Sequence, residues 1–451
     1  ALMSVHENTS LIQRAWLAIP RAALGNLAAK LVIVGLGLAI TVLVARQGPR
    51  VQGAFALFVA VESALLMLFS GLGLWLARQV SRQQAGHPGM ALASLRSVLR
   101  AAVALGLLAG LGLLAVSWST KTMPYDQLWL LALAAPFLLL VPTATGLWLG
   151  QGRMWPLNLA QVAAPASVLS GLAVVWWLLA ETIRRRPMVV LVLVCWVLGK
   201  SLVAVLTTLY ALHDAARRDE QRVEAGLPHE DPRPRWWQEW RFVAVIGLTN
   251  VVSLLNYRAS LFLVEHFHGL AVVGTYSVAV TVAELLWLLS SSVTVSAYAR
   301  IGNPDARIAS AMTVQAVRIN VLATVAAAPL LLLGAWWGLP WLMGEAYAAS
   351  VLPLAALLPG VAAYAAASSL SAFYTNHLGK PQLSGAIAFL SLAISFGMGC
   401  WMVPRWGALG AAMASSLGYI LAIAVAYGVF LQQAGLPWRA LWSADQRQYR
   451  V

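Results

Sequence analysis

Runs of about 20 apolar residues follow one another along most of the 451-residue chain, and this feature constrains the fold most strongly. A helix of about 20 residues is long enough to cross the hydrocarbon core of a bilayer. Hydrophobic residues make up 60% of the chain and charged residues only 10%, against about 25% charged residues in a typical soluble domain. A soluble protein cannot cover so much apolar surface with polar side chains. The sequence therefore predicts an all-α polytopic membrane protein.

Twelve transmembrane helices are predicted from these runs. Their approximate limits are 23–45, 53–76, 97–118, 127–149, 156–180, 188–211, 242–264, 274–298, 310–335, 351–374, 383–403 and 407–431. Tryptophans lie near many of the predicted ends, for example Trp118, Trp155, Trp341 and Trp406. Such a distribution is typical of the aromatic belts at membrane interfaces.

Lysine and arginine are distributed unequally between the two sides of the predicted membrane. Nineteen lie in one set of loops, seven lie in the opposite set and four lie inside spans, which accounts for all 30. Cytoplasmic loops hold an excess of these residues, so both termini are predicted to be cytoplasmic. The run Arg184–Arg186 is the exception. The same asymmetry explains the net charge of +14 without a nucleic-acid partner.

The longest loop divides the chain into two halves of six spans each. It covers residues 213–241, is rich in charge and contains proline. We predict an N-terminal lobe at 1–212, a cytoplasmic linker at 213–241 and a C-terminal lobe at 242–451. Because each half has an even number of spans, the lobes are expected to be related by a pseudo-two-fold axis along the membrane normal.

A short internal repeat supports this division. The segment GAFALFVAVE at 53–62 parallels GTYSVAVTVAE at 274–284, with one extra residue in the second copy. At the resulting offset, Glu62 corresponds to Glu284 and Arg96 corresponds to Arg318.

Ionisable residues inside the spans are the candidate functional residues, because each costs roughly 2.5–3.5 kcal/mol in the apolar core. The cations are Lys30, Lys200, Arg258 and Arg318, with Arg96 and Arg100 at the start of the third span, and the acids are Glu62 and Glu284. If they converge between the halves, the cationic majority forms a pocket suited to an anionic ligand, since arginine binds phosphate oxygens in pairs. The alternative for each residue is an intramembrane ion pair or a side chain that reaches to the interface.

The two acids have two alternative roles. Glu62 and Glu284 either take up protons in a dry pocket, and so couple or gate transport, or form fixed pairs with arginines that hold the halves together. Polar residues within the spans are expected to line a cavity or to bridge helices. They are Asn158, Gln161, Asn250, Asn256, Tyr257, Gln315, Asn320, Tyr374 and Asn376.

Signals for an enzyme are weak. The two cysteines lie in apolar runs, the seven histidines are scattered, and the chain contains no GxSxG, HExxH, paired CxxC or phosphate-binding Gly-Lys-Ser/Thr motif. We predict no catalytic residues, no metal and no cofactor.

Five segments resemble one family in its own order. They are GAFALFVAVESALLMLFSGLGLWLARQ (53–79), LNYRASLFLVEHFHGLAVVGTYSVAVTVAELLW (255–287), LMGEAYAASVLPLAALLPG (342–360), LGKPQL (378–383) and VPRWGALGAAMASSLGYI (403–420). This pattern resembles the Wzx-type polysaccharide-biosynthesis flippases of the multidrug/oligosaccharidyl-lipid/polysaccharide exporter superfamily. The family usually has an acidic residue two positions after the arginine, where this chain has Ser260. Arg258 is therefore expected to lack a local acidic partner and to be freer to bind a ligand.

The resemblance implies two six-helix lobes around a central cationic cavity. It also implies a flippase that moves an undecaprenyl-pyrophosphate-linked oligosaccharide across the bacterial inner membrane by alternating access, for O-antigen or exopolysaccharide assembly. On this hypothesis Arg258, Arg318, Lys30, Lys200, Arg96, Asn256 and Tyr257 contact the cargo, and Glu62 and Glu284 couple or gate.

We expect protons, sodium ions or the membrane potential to drive transport. The expected partners are membrane lipids and polysaccharide polymerase or export machinery, with the protein itself a monomer. One alternative is a cation-coupled multidrug or metabolite antiporter of the same fold, for which an acidic cavity would be more natural. Another is a glycan polymerase or ligase, which would be expected to have a sizeable periplasmic loop.

Overall fold

The structure is a computed structural model that describes residues 21–84, 91–179, 188–224 and 236–438. Within these residues all regular secondary structure is helical. The α-helices are α1 (Arg21–Ala45), α2 (Pro49–Gln84), α3 (Ala91–Ser119), α4 (Leu128–Leu138), α5 (Leu140–Gly150), α6 (Met154–Leu179), α7 (Met188–Glu224), α8 (Trp240–Glu284), α9 (Trp287–Ile301), α10 (Ala306–Met343), α11 (Val351–Tyr364), α12 (Ala367–Ala372) and α13 (Pro381–Ala434). Three 3₁₀ turns (Tyr125–Gln127, Trp236–Glu239 and Glu345–Ser350) and a π-helix (Phe373–His377) complete the order.

Ten helical segments of the described chain are long and apolar enough to cross a membrane, where twelve were predicted. The two longest, Trp236–Tyr298 and Pro381–Ala434, have 63 and 54 residues, far more than the ~20 that one crossing needs. Each contains a glycine with non-helical backbone angles, Gly269 (φ 77°, ψ 178°) and Gly407 (φ 54°, ψ −129°). Both glycines lie close to predicted turns between spans. The protein is therefore a multi-pass membrane protein, and the count of twelve requires each long segment to cross twice.

The described residues form two compact units. The first contains those up to Ile40 and Leu65–Gly247, and the second contains Thr41–Ala64 and those from Leu248 onward. The predicted lobes differ from these units chiefly at Thr41–Ala64, and their boundaries stay a prediction. The predicted linker is helical at its start, because α7 continues to Glu224, and residues 225–235 lie outside the described residues.

In the first unit, acidic side chains fix helix ends. The backbone N–H groups of Ala91 and Leu92 donate to the Asp219 carboxylate at 3.1 and 2.8 Å. The buried Asp219 side chain thus accepts hydrogen bonds from the first free N–H groups of α3. It also places a negative charge at the N-terminus of the helix, where the helix dipole favours one. The Asp214 carboxylate forms ion pairs with Arg153 and Arg218.

In the second unit, the start of α2 and the end of α8 approach so closely that glycine is required at the contact. A Cβ atom on Gly53 would overlap the carbonyl oxygen of Leu270, and one on Gly274 would overlap that of Pro49. The two segments of the predicted repeat, 53–62 and 274–284, thus adjoin each other at their first glycines. This packing positions the end of α8, where the candidate site lies.

Candidate functional site in the second unit

Two helices of the second unit are interrupted beside the candidate site. The first interruption is at Leu285–Leu286, between α8 and α9, where the N–H groups of both residues bond three residues back instead of four. The second is at Ala365–Ala366, between α11 and α12, and the π-helix Phe373–His377 follows shortly after it. Broken helices in a membrane protein are tolerated where they are buried in protein or line a cavity.

Arg258 and Glu284 form a two-pronged ion pair within α8. The Arg258 Nη1 and Nη2 atoms donate to Glu284 Oε1 and Oε2 at 2.8 and 2.9 Å. The break at Gly269 makes this contact possible, because the two residues are 26 positions apart in the chain. Their side chains remain 28% and 23% exposed, so the pair is reachable at its edge.

Arg258 therefore has an acidic partner, although not at the local position to which the expectation applied. Ser260 occupies the position where the resembling family usually has an acidic residue. Its hydroxyl accepts a hydrogen bond from the Tyr276 hydroxyl at 3.0 Å. The acid that pairs with Arg258 is Glu284. The alternative that such pairs hold the two halves together stays a prediction. Both partners belong to the second unit, so this pair is internal to it.

Four aromatic rings pack together, and two of them are close neighbours of Arg258 and Glu284 in the chain. They belong to Tyr257, Trp287, Tyr364 and Tyr419, with ring centroids 4.8 to 6.3 Å apart. Asn256 joins them, because its amide donates to the Tyr364 hydroxyl and its carbonyl accepts from the Tyr419 hydroxyl, both at 3.3 Å. Asn256 and Tyr257 thus connect α8 to the start of α9, the end of α11 and α13.

A cavity of about 440 Å³ opens beside these rings. Its lining comes from α8, α9, the end of α11, the interrupted helix after it, and both the start and the C-terminal part of α13, all in the second unit. Hydroxyl and aromatic groups dominate its polar surface: Thr249, Ser253, Tyr257, Trp287, Ser290, Ser291, Tyr364, Ser368, Ser371, Tyr374, Thr375 and Ser384. None of the lining residues is charged.

The other predicted site residues do not line this cavity. In the second unit, Glu62 is buried and Arg318 is half-buried on α10, and neither lines the cavity. In the first unit, Lys30 and Arg96 are exposed on α1 and α3. Lys200 lies on α7 with its ammonium 4.5 Å from the centre of the Trp196 ring, a cation–π contact.

Residue composition alone did not single out the hydroxyl groups of the site. Thr294, Ser368, Ser369 and Asn320 form a hydrogen-bonded cluster next to the cavity, with distances of 2.7 to 3.2 Å. The available signal was the density of small hydroxyl residues in SSSVTVS (290–296) and SSLSAFYTN (368–376) within apolar spans. Of the predicted cavity-lining residues, Tyr257 and Tyr374 line this cavity. Among the described residues no group of three His, Cys, Asp or Glu side chains is placed to hold a metal ion.

Solved structures with the same fold identify the architecture. An inward-facing multidrug resistance MATE family transporter of the MOP superfamily superposes with a TM-score of 0.70 at 16% identity, covering 89% of this chain and 94% of its own. The lipid II flippase MurJ, in an inward closed conformation, gives 0.71 at 14% identity, with coverages of 92% and 88%. The chain has the fold of the MOP superfamily transporters.

A third structure, a MOP superfamily transporter from Pyrococcus furiosus described as having a binding pocket of reversed polarity, gives a TM-score of 0.63 at 16% identity and covers 92% of this chain and 95% of its own. No family model matches the sequence, and no curated protein sequence is similar to it. The predicted superfamily fold is therefore confirmed. The narrower polysaccharide branch stays a prediction.

Proposed function

We propose that this protein is a flippase that moves an undecaprenyl-pyrophosphate-linked oligosaccharide across the bacterial inner membrane by alternating access. The cargo serves the assembly of a cell-surface polysaccharide such as O-antigen or exopolysaccharide. The protein performs no covalent chemistry in this proposal. It lies in the cytoplasmic membrane with both termini in the cytoplasm.

The observation that supports the proposal most strongly is the Arg258–Glu284 pair. The Arg258 guanidinium donates two parallel hydrogen bonds to the two oxygens of one carboxylate. The same pair of donors can bind two oxygens of a phosphate group. Glu284 neutralises Arg258 while no cargo is bound, which lowers the cost of keeping the charge inside a span. A pyrophosphate that reaches the exposed edge of the pair can then compete with Glu284 for the same donors.

The charge balance of the spans favours anionic cargo. Four cations lie within the predicted spans, whereas only Glu62 and Glu284 oppose them. In the proposal Arg318, Lys30, Lys200 and Arg96 add further contacts to the pyrophosphate or its sugars. The lipid II flippase MurJ is among the proteins that share the fold, which supports a lipid-linked cargo.

Coupling is assigned to the two acids. Protonation of Glu284 would break its pair with Arg258 and so change which partner the guanidinium holds. Glu62 is buried within the second unit and is proposed to contribute at a separate step. Sodium ions or the membrane potential are the alternative driving forces.

Multidrug antiport is the competing function, because MATE transporters share the fold. A cationic drug would be repelled by the cationic majority in the spans, so we favour the anionic cargo. The two functions differ in the species that accumulates when the protein is absent, namely a lipid-linked oligosaccharide or a drug.

Deletion and complementation test the proposal. Cells without the protein are expected to accumulate a lipid-linked oligosaccharide and to lose the surface polysaccharide. Wild type should restore export, whereas Arg258→Ala should reduce it at least about tenfold at equal protein level, because two charge-assisted hydrogen bonds are lost. Arg405→Ala is the matched control, since Arg405 is exposed and contacts its own helix at Trp401. Normal export in the deletion strain would refute the proposed cargo.

A further inference from the structure

We propose that the uncharged cavity of the second unit binds a sugar ring of the lipid-linked cargo. The inference deepens the proposed function and rests on it. It separates two tasks, with Arg258 contacting the pyrophosphate and the cavity holding a neutral saccharide beside it. The hydrogen-bonding groups, the aromatic surface and the size of the cavity all match such a ligand.

The hydroxyl groups of the cavity present mainly acceptor oxygens. Ser253, Ser290 and Ser291 each donate their proton to a backbone carbonyl of their own helix, at 3.0, 3.1 and 3.0 Å. A hydroxyl that donates one proton still has two acceptor lone pairs. Three acceptors, one from α8 and two from α9, therefore line the cavity and suit a ligand that is rich in O–H donors.

One hydrogen-bond donor without a partner belongs to a residue of the same cavity wall. The indole Nε1 of Trp287 is buried and has no hydrogen-bond partner among the described residues, although the residue lines the cavity. An unpaired buried donor costs about 1–3 kcal/mol, so an acceptor supplied by a ligand would be favourable. A sugar offers hydroxyl and ring oxygens that can both donate and accept.

Aromatic faces form the wall at the same end. The rings of Tyr257 and Trp287 are 4.9 Å apart and Tyr364 adjoins both, at 6.0 and 5.9 Å. Apolar ring faces next to hydroxyl groups match a sugar, which has C–H surface on its ring faces and hydroxyls around its edge.

The size and charge of the cavity argue against other ligands. Its volume of about 440 Å³ lies within the range of small-molecule sites, about 300–1,000 Å³, and is far larger than a metal ion needs. Hard cations prefer carboxylate ligands, and none of the lining residues is acidic. A pyrophosphate would find no cation there.

The position of the cavity fits cargo that is held at two points. Tyr257 precedes Arg258 in the chain, and Trp287 follows Glu284 by one helical turn. The ion pair and the cavity therefore adjoin each other at Tyr257–Arg258 of α8 and at the junction between α8 and α9. A sugar linked directly to the pyrophosphate would be the unit nearest the cavity.

The test compares the binding of two lipids to purified protein. The probes are bare undecaprenyl pyrophosphate and the lipid-linked oligosaccharide extracted from cells that lack the protein, with dissociation constants from native mass spectrometry. The variants are Trp287→Phe, which removes the indole donor and keeps the ring, and Ser291→Leu, which fills the cavity. Ser292→Leu is the control, because Ser292 lies on the same helix but is exposed and outside the cavity.

Wild type and Ser292→Leu should bind the sugar-bearing lipid more tightly than the bare lipid. Trp287→Phe and Ser291→Leu should bind the sugar-bearing lipid about tenfold more weakly than wild type. Their affinity for the bare lipid should be unchanged, which also shows that both variants remain folded. Equal losses for both lipids, or no loss for either, would overturn the sugar assignment. Arg258→Ala should weaken both lipids. A wild-type protein that binds neither lipid would instead refute the proposed function.

Discussion

At the scale of single residues, the ion pair between Arg258 and Glu284 is the central feature of the candidate site. Removing either partner leaves the other charge unpaired within a span, and breaking a buried pair costs about 3–5 kcal/mol. The partial exposure of both side chains reduces this to about 1–3 kcal/mol. Arg258→Ala and Glu284→Ala should therefore each lower the thermal stability of the purified protein, and the double variant should recover part of the loss. Strictly additive losses in this double-mutant cycle would show that the two residues do not interact.

The sequence singled out Arg258 and Glu284 as candidates but did not predict that they pair with each other. Arg258 and Glu284 were recognisable because charges are rare inside apolar spans. Their contact was not, because it spans 26 positions and depends on the break at Gly269. Related proteins were expected to have an acidic residue two positions after the arginine, where this chain has Ser260. That difference suggested no local acidic partner and gave no indication of Glu284. The serines of the cavity were overlooked because small hydroxyl residues are common in membrane helices and have no charge to mark them.

At the scale of helices, the close approach of α2 and α8 in the second unit depends on two glycines. Gly53→Ala and Gly274→Ala each place a Cβ on a backbone carbonyl, which cannot move aside as a side chain can. Overpacking of this kind costs about 1–3 kcal/mol, so both variants should have lower melting temperatures in detergent. Gly397→Ala is the control, since nothing lies within 4 Å of its Cβ position. Equal stability of all three variants would contradict the described packing.

The start of α3 gives a second prediction at this scale. Asp219→Ala removes the acceptor of the Ala91 and Leu92 N–H groups and should cost about 1–2 kcal/mol, as the loss of a helix cap does. The neighbouring Glu220→Ala, on an exposed position, should leave stability unchanged. Hydrogen exchange at Ala91 and Leu92 should increase only in the Asp219 variant. Unaltered exchange there would show that the carboxylate does not hold this helix end.

Helix positions followed from the apolar runs, whereas helix interruptions did not. The turn near Gly269 was expected between two predicted spans, and glycine accepts its backbone angles. The interruption at Leu285–Leu286 falls in a continuous apolar stretch without proline or glycine. Its cause is tertiary, because the residues on either side, Glu284 and Trp287, are held by Arg258 and by the aromatic cluster.

At the scale of the whole molecule, the asymmetry of lysine and arginine predicts the topology. Both termini and the region 225–235 should lie in the cytoplasm, and Arg184–Arg186 should lie on the opposite side. Single cysteines at Arg185 and at Glu230, in a variant with Cys195 and Cys400 replaced, can be labelled in intact cells with an impermeant thiol reagent. Only the cysteine at 185 should react. Labelling at 230 instead would invert the orientation and, with it, the proposed direction of transport.

The overall fold was predictable to the level of the superfamily. Span number, the short repeat and five family-like segments pointed to it, and solved structures with TM-scores up to 0.71 have the same fold. The grouping of Thr41–Ala64 with the second unit was not predictable from hydropathy, because it results from packing at Gly53 and Gly274. A few side chains determine which cargo a transporter binds. A similar fold at 14–16% sequence identity does not identify them, so the cargo remains a proposal.

Transport by the purified protein in proteoliposomes is the most direct test that it moves a lipid-linked oligosaccharide across a membrane. Proteoliposomes that contain the extracted lipid-linked oligosaccharide are treated with an impermeant glycosidase, and the fraction of lipid cleaved over time is measured for wild type, Arg258→Ala and Arg405→Ala. The account predicts that wild type and Arg405→Ala make the inner-leaflet lipid accessible. Arg258→Ala should do so at least about tenfold more slowly. Equal cleavage in all three and in protein-free liposomes would contradict the claim that this protein moves such a lipid.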